Sequence, residues 1–192
     1  MEIIKQDSKK INMVVSALKN GAVLVMPTDT VYGLVCDAKN EAAIEKIFLI
    51  KKRPKTKPLL MFTDSLKSAK KIAEISKAQE EKIKGNWPGK TTFILNAKMR
   101  LSATLMTGET IGIRVPEYKF LADIVKKMKG PLAQTSANIS GNPAATEIKE
   151  IIKQFEGRKN RPDLIIDAGD LPKNKPSSII NVTEGNIKII RK

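Results

Sequence analysis

Short apolar runs alternate with amphipathic stretches of helical length along most of the chain, and this alternation narrows the possible folds more than any other feature. Runs at 22–26, 59–63, 91–96, 111–115, 132–135, 163–167, 178–182 and 187–190 read as strands. Between them, apolar residues recur at helical spacing over 8–20, 40–53, 65–75, 77–84, 120–129 and 146–155. Asp7 or Ser8, Asn40 and Thr146 stand where side-chain caps are expected, and Gly21 and Gly130-Pro131 stand where helices stop. The order predicts an α/β or α+β domain built around a mixed sheet. The last two strands, joined through 183–186, read as a hairpin, which excludes a purely parallel sheet. There is no internal repeat, low-complexity tract or linker, and 192 residues suit one domain over 1–192.

Composition removes several chemistries. The chain has no histidine, so Ser-His-Asp triads, Cys-His pairs and imidazole zinc sites are excluded. One cysteine, Cys36, excludes an internal disulfide and a thiolate zinc cluster. No apolar stretch approaches the ~18 residues of a membrane span, and MEIIKQDSKK has no signal-peptide core. A cytoplasmic protein without membrane contact is expected. The net charge of +15 is spread evenly over both halves. Taken alone, it describes a solvated lysine-rich surface; beside a built site, it suits a polyanionic ligand.

Five segments could form such a site. PTDTVYGL, residues 27–34, follows a buried strand and would present Thr28, Asp29 and Thr30 beyond its carboxyl end. KKRPKTKP, residues 51–58, would turn Lys51, Arg53, Lys55 and Lys57 to one side if extended, as a rail for phosphates. TSANISG, residues 135–141, sets Ser136 and Asn138 at another strand end, and PSSII, residues 176–180, sets a hydroxyl pair at a third. Arg114 lies between Ile113 and Val115, where a guanidinium needs an anionic partner. Taken singly, each is equally a helix cap, a polar turn or a charge run. GNWPGKT, residues 85–91, falls one residue short of the GxxxxGK[ST] phosphate loop. The residues themselves therefore describe an α/β protein that binds a nucleotide or other anion without a P-loop.

Six pieces in order, PTDTVYGL, the K-x-R of Lys51 and Arg53, WPGKTT, TIGIRVP, SANISG and PSSII, resemble the YrdC/Sua5 family of threonylcarbamoyl-adenylate synthases. The resemblance implies a single α/β domain whose twisted, mixed and mainly parallel sheet, with flanking helices, encloses a large basic cleft. It also implies formation of threonylcarbamoyl-AMP and pyrophosphate from L-threonine, bicarbonate and ATP, with Mg²⁺ held mainly by the ATP phosphates. The product would serve the N6-threonylcarbamoyladenosine modification of tRNA through a downstream threonylcarbamoyl-transferase complex. Tallied onto this sequence, the resemblance assigns threonine contacts to Thr30, Arg114 and Ser177. It assigns nucleotide contacts to Lys51, Arg53, Lys57, Thr110, Ser136, Asn138 and Arg191, with Lys51, Arg53, Ser136 and Asn138 as the catalytic set. Lys57 and Phe62 differ from the Asn and His of some longer members, so the chain is similar to the short, single-domain form. The competing reading is a ribosome-associated module that uses the basic cleft to bind tRNA or double-stranded RNA. Few aromatics, 4% of the chain, disfavour it.

Overall fold

The computed structural model describes residues 1–183 and 187–192. In chain order the elements are β1 (Glu2–Lys5), α1 (Ile11–Lys19), β2 (Leu24–Met26), β3 (Gly33–Asp37), α2 (Glu41–Lys51), β4 (Leu60–Phe62), α3 (Leu66–Ile72) and α4 (Lys77–Lys84). They continue with β5 (Thr91–Asn96), β6 (Thr110–Arg114), α5 (Lys119–Met128), β7 (Leu132–Ser136), α6 (Ile148–Phe155), β8 (Leu164–Asp167), β9 (Ser178–Asn181) and β10 (Lys188–Arg191). The strands form a single sheet in the order β1-β8-β2-β3-β7-β4-β6-β5-β9-β10.

The sheet is mixed, but parallel pairing does not predominate. Four junctions are parallel (β1-β8, β2-β8, β4-β6, β5-β9) and five are antiparallel among the described residues. The difference from expectation comes mainly from β3. Gly33 reads in the sequence as part of a turn, yet it starts an antiparallel strand wedged between β2 and β7. A Cβ at Gly33 would lie 3.4 Å from the Thr135 carbonyl, at the edge of ordinary van der Waals contact. β1 also escapes the sequence pattern, because it is an edge strand with almost no buried face.

Local signals account for most helix ends. Asn40 accepts from Ala43 N at 2.9 Å, and Ser76 with Gln79 forms a complete capping box. Thr146 does not cap α6. That helix begins after Glu147, and its first amide, Ile148 N, donates to Asp170 Oδ1 from outside the helix. The antiparallel pairing of β9 with β10 matches the expected hairpin, while residues 184–186 of its connection lie outside the described residues.

Strand alternation divides the core into two layers. Val25, Leu34, Cys36, Met61, Ala133 and Ile165 face the layer that includes Ile47 of α2 and Ile151 of α6. Leu24, Met26, Val35, Phe62, Leu132 and Ile166 face α1 and α5. The same face continues across β4, β6, β5 and β9 as Leu60, Gly112, Ile94 and Ile179, and there it becomes the floor of a cleft. No helix among the described residues is long and apolar enough to cross a membrane.

Candidate active site

The cleft encloses about 390 Å³. Its floor is Leu60, Phe62, Ile94 and Ile179, and its walls come from the loops after β2 and α2, from the last residues of β7, from 176–177, and from β10. Gly112 keeps the floor flat: a Cβ there would overlap Leu60 Cδ2 and crowd Ile94 Cδ1 at 3.2 Å. A larger hollow of about 1020 Å³ lies beside it, between 96–101 and 103–109. The hollow shares Thr56 and Thr107 with the cleft but contains none of the motif residues that carry the functional assignment, so the chemistry belongs to the smaller cavity.

Arg114 ends β6 with 2% of its side chain exposed. Its Nε donates to the Gly89 carbonyl at 2.8 Å, its Nη1 to Thr30 Oγ1 at 3.3 Å, and its Nη2 to Asp29 Oδ1 at 2.5 Å. The guanidinium carbon also stands 5.8 Å from the centre of the Phe62 ring. Thr30 is oriented from behind. Thr28 Oγ1 donates to the Val31 carbonyl at 2.7 Å and accepts from Thr30 N at 3.0 Å. The 3.0 Å contact between the two hydroxyls then leaves Thr30 as donor to Thr28, with its lone pairs turned to Arg114. Five N–H groups minus three bonds leave Arg114 with one free N–H on each terminal nitrogen, a fork for a planar two-oxygen anion.

Ser177 is buried just before β9, and its hydroxyl lies 3.1 Å from Thr92 Oγ1. Its carbonyl accepts from Arg191 Nε at 2.9 Å and Nη2 at 2.7 Å. The β9–β10 pairing shifts register between Ile189 and Arg191, which makes Ile190 an extra residue. This bulge brings both Ile190 and Arg191 to the cleft wall, where simple alternation would bring one.

The basic rail is not extended. Lys51 is the last residue of α2, and Lys52 follows in the left-handed region at φ 50°, so the chain reverses between them. Lys51 is buried, with Nζ donating to the carbonyls of Ser136 and Asn138 at 2.7 and 2.9 Å and to Asn138 Oδ1 at 2.6 Å. Ser136 Oγ donates to that same Asn138 oxygen at 2.6 Å. Thus Lys51 and Asn138 stand behind the cleft surface, and Ser136 forms the wall itself. Lys55 turns away to Glu45 at 2.7 Å. Arg53 and Lys57 do reach the cleft, Arg53 through bonds from Nε to the Lys57 carbonyl and from Nη2 to the Pro58 carbonyl. Thr110 does not reach it. Its hydroxyl donates to the Thr107 carbonyl at 2.8 Å, and Thr107 is the residue of that turn at the cleft edge.

The charged side chains of the lining are Arg53, Lys57, Arg114 and Arg191. No acidic side chain lines the cleft among the described residues. Burial pushes the Lys51 ammonium down to about 7, and the Arg53 charge adds to the effect. Arg53, Arg114 and Arg191 are each held below the usual guanidinium value, first by burial. Arg53 also feels Arg191, and Arg191 feels Arg114, whereas Asp29 opposes the shift at Arg114. Asp29, Gly89 and Thr92 belong to this constellation without having been assigned from sequence. All three sit inside recognised motifs, PTDTVYGL and WPGKTT, and only Asp29 gave a chemical signal of its own.

Hydroxyls, guanidiniums and a lysine thus line one cleft of a mixed α/β sheet, a lining suited to an anionic ligand and built without a P-loop. The chain belongs to the Sua5/YciO/YrdC family, whose model, described as "Telomere recombination", matches residues 16–192. A threonylcarbamoyl-AMP synthase of Psychromonas ingrahamii is 34% identical over 95% of this chain and 96% of its own length. One from Pyrococcus abyssi is 32% identical over 91% of this chain, which spans 51% of that longer protein. The crystal structure of P. abyssi Sua5 complexed with L-threonine superposes with a TM-score of 0.87 at 29% identity, over 99% of this chain and 56% of that one.

Proposed function

We propose that this protein condenses L-threonine, bicarbonate and ATP into threonylcarbamoyl-AMP and pyrophosphate, as a cytoplasmic nucleotidyltransferase. The observation that carries the reading is the placement of two unlike anion sites in one cleft. Arg114 with Thr30 offers a buried planar fork, suited to an amino-acid carboxylate. Arg53, Lys57 and Arg191, with Lys51 behind Ser136, offer diffuse positive charge, suited to a triphosphate. The relatives named as threonylcarbamoyl-AMP synthases support the same assignment.

The reaction needs no protein nucleophile. The amine of threonine adds to bicarbonate, water leaves, and a carbamate oxygen then attacks the α-phosphorus of ATP, expelling pyrophosphate. What the chain supplies is alignment and charge neutralisation. Ser177 presents its hydroxyl to the amino acid, Thr30 offers only a remaining lone pair beside Arg114, and the apolar floor excludes water beneath the reacting groups. Mg²⁺ would be held mainly by the anionic oxygens of the ATP phosphates, with the Ser136 hydroxyl as a neutral oxygen of the adjoining wall, and would supply charge neutralisation there. The product would be consumed in tRNA N6-threonylcarbamoyladenosine formation by a separate transferase complex.

The deciding experiment is product analysis. Purified protein with Mg²⁺, ATP, L-threonine and bicarbonate is expected to release pyrophosphate and threonylcarbamoyl-AMP, and to release neither when threonine or bicarbonate is omitted. ATP hydrolysis to ADP independent of threonine would refute the assignment.

A further inference from the structure

The three arginines of the cleft are not equivalent. Arg53 donates only to the carbonyls of Lys57 and Pro58, and Arg191 to the carbonyl and hydroxyl of Ser177. Among the described residues, Arg114 is the arginine that has a carboxylate partner, Asp29. That partner is itself nine-tenths buried, with 9% of its side chain exposed, and its second oxygen, Oδ2, is buried without a hydrogen-bond partner. A buried carboxylate with an unused oxygen is costly, so a structural tether alone does not explain it. Oδ1 compensates the buried guanidinium charge, which leaves the second, unpaired oxygen without a structural reason.

The sign of the charge supplies a reason. A cleft with several cations and one flat floor faces an internal confusion: a triphosphate or pyrophosphate, carrying several charges, outbids a single carboxylate for every arginine. A negative charge fixed beside one arginine reverses that preference locally. It lowers the net attraction for a polyanion far more than for a monoanion, since the repulsion scales with ligand charge. Arg114 keeps its two free N–H groups and its planar geometry while losing much of its long-range pull.

We propose that Asp29 is a specificity-determining residue that reserves Arg114 for a monoanionic carboxylate and keeps polyphosphate on the Arg53–Arg191 side of the cleft. The proposal deepens the synthase reading and rests on it for the identity of the carboxylate. Asp29 acts through Arg114, so it is a positioning and sorting residue rather than a catalytic one.

The test is calorimetric titration of inorganic pyrophosphate and of L-threonine, each alone and each in the presence of the other. In the wild-type protein the two ligands should bind side by side, and excess pyrophosphate should leave threonine bound. Asp29→Asn, which preserves shape, should bind pyrophosphate about tenfold more tightly and make the two ligands compete. Adding Arg114→Gln to Asp29→Asn should abolish the gain. Displacement of threonine by pyrophosphate from the wild type overturns the proposal whether or not the variant folds. So does an Asp29→Asn protein that loses threonine affinity while its pyrophosphate affinity stays unchanged, the outcome of a purely structural role. A wild type that binds pyrophosphate but no threonine refutes the substrate assignment instead, and the pyrophosphate affinities of the wild type and Asp29→Asn still decide the sorting role.

Discussion

The Lys51 ammonium lies 2.6 Å from Oδ1 of Asn138, so the C-terminus of α2 and the loop after β7 are locked by one buried cation. Burial, and then the Arg53 charge, hold that cation at about 7, against an ordinary 10.5. A polyanion arriving at the Ser136 wall favours the protonated form and raises the value again. Between about 7 and the ordinary lysine range the complex therefore holds a proton that the free protein lacks. Pyrophosphate or ATP binding at ~pH 8 is expected to take up about one proton, falling toward none at ~pH 6, and affinity should decline as pH rises through the window. Calorimetry in buffers of different ionisation enthalpy measures this uptake directly. Equal, zero uptake at both pH values would remove Lys51 from the phosphate site.

The folding consequence has the opposite sign. The unfolded chain binds the Lys51 proton over the same window and the folded chain does not, so stability should rise with pH from about 7 toward 10.5 as far as this group is concerned. Comparing the pH dependence of denaturant midpoints in the wild type and Lys51→Met isolates the contribution. A wild-type slope no steeper than that of the variant contradicts it.

Arg53 combines two roles that can be separated. Its bonds to the Lys57 and Pro58 carbonyls brace the loop before β4, and its remaining donors face the cleft. Arg53→Ala is expected to weaken ATP use by roughly 1.5–3 kcal/mol, the range for hydrogen bonds to charged groups, with a smaller loss of stability. Paired measurements of kcat/KM for ATP and of Tm test it. Wild-type kinetics in a folded variant would leave Arg53 with the loop role alone.

Tyr32 tests the scaffold without touching a proposed reacting group. Its hydroxyl donates to the Gly169 carbonyl at 2.6 Å and accepts from Ala168 N at 3.1 Å, and burial pushes its phenol up to about 12. Tyr32→Phe would leave two backbone groups unpaired, at a cost of about 1–3 kcal/mol in unfolding free energy. Chemical denaturation reads this loss; a change below about 0.5 kcal/mol would show that water replaces the hydroxyl.

Much of the cleft was legible because each wall is a short motif at a strand end, and strand ends are visible in sequence. Thr30, Arg114, Ser136, Ser177, Arg53 and Arg191 all reach it or its immediate wall. What spacing could not convey was depth. Lys51 and Lys57 look alike in KKRPKTKP, but a left-handed Lys52 turns one into the protein and leaves the other at the surface. The strand β3 was hidden for a related reason: it is fixed by long-range pairing with β2 and β7, and no local alternation announces it. Thr110, at the far end of the strand that Arg114 closes, lies outside the cleft lining and gives its hydroxyl to the Thr107 carbonyl, a placement that motif order does not convey.

Arg114→Lys separates carboxylate recognition from general attraction of anions. Lysine can keep the ion pair with Asp29, so the local charge survives. It cannot at the same time reach the Gly89 carbonyl, Thr30 and a two-oxygen ligand, which the guanidinium serves through three different nitrogens. The part of the site that is lost is therefore the fork itself. Threonine affinity should fall by roughly 2–3 kcal/mol, the upper range for a charge-assisted hydrogen bond, while ATP affinity changes little, because Arg53, Lys57 and Arg191 are untouched. A diffuse basic cleft makes a different demand: lysine would then serve almost as well as arginine, and any loss would be shared by both ligands. Titrating threonine and ATP separately into the folded variant decides between them. An unchanged threonine affinity, or equal losses for the two ligands, would remove Arg114 from the carboxylate site.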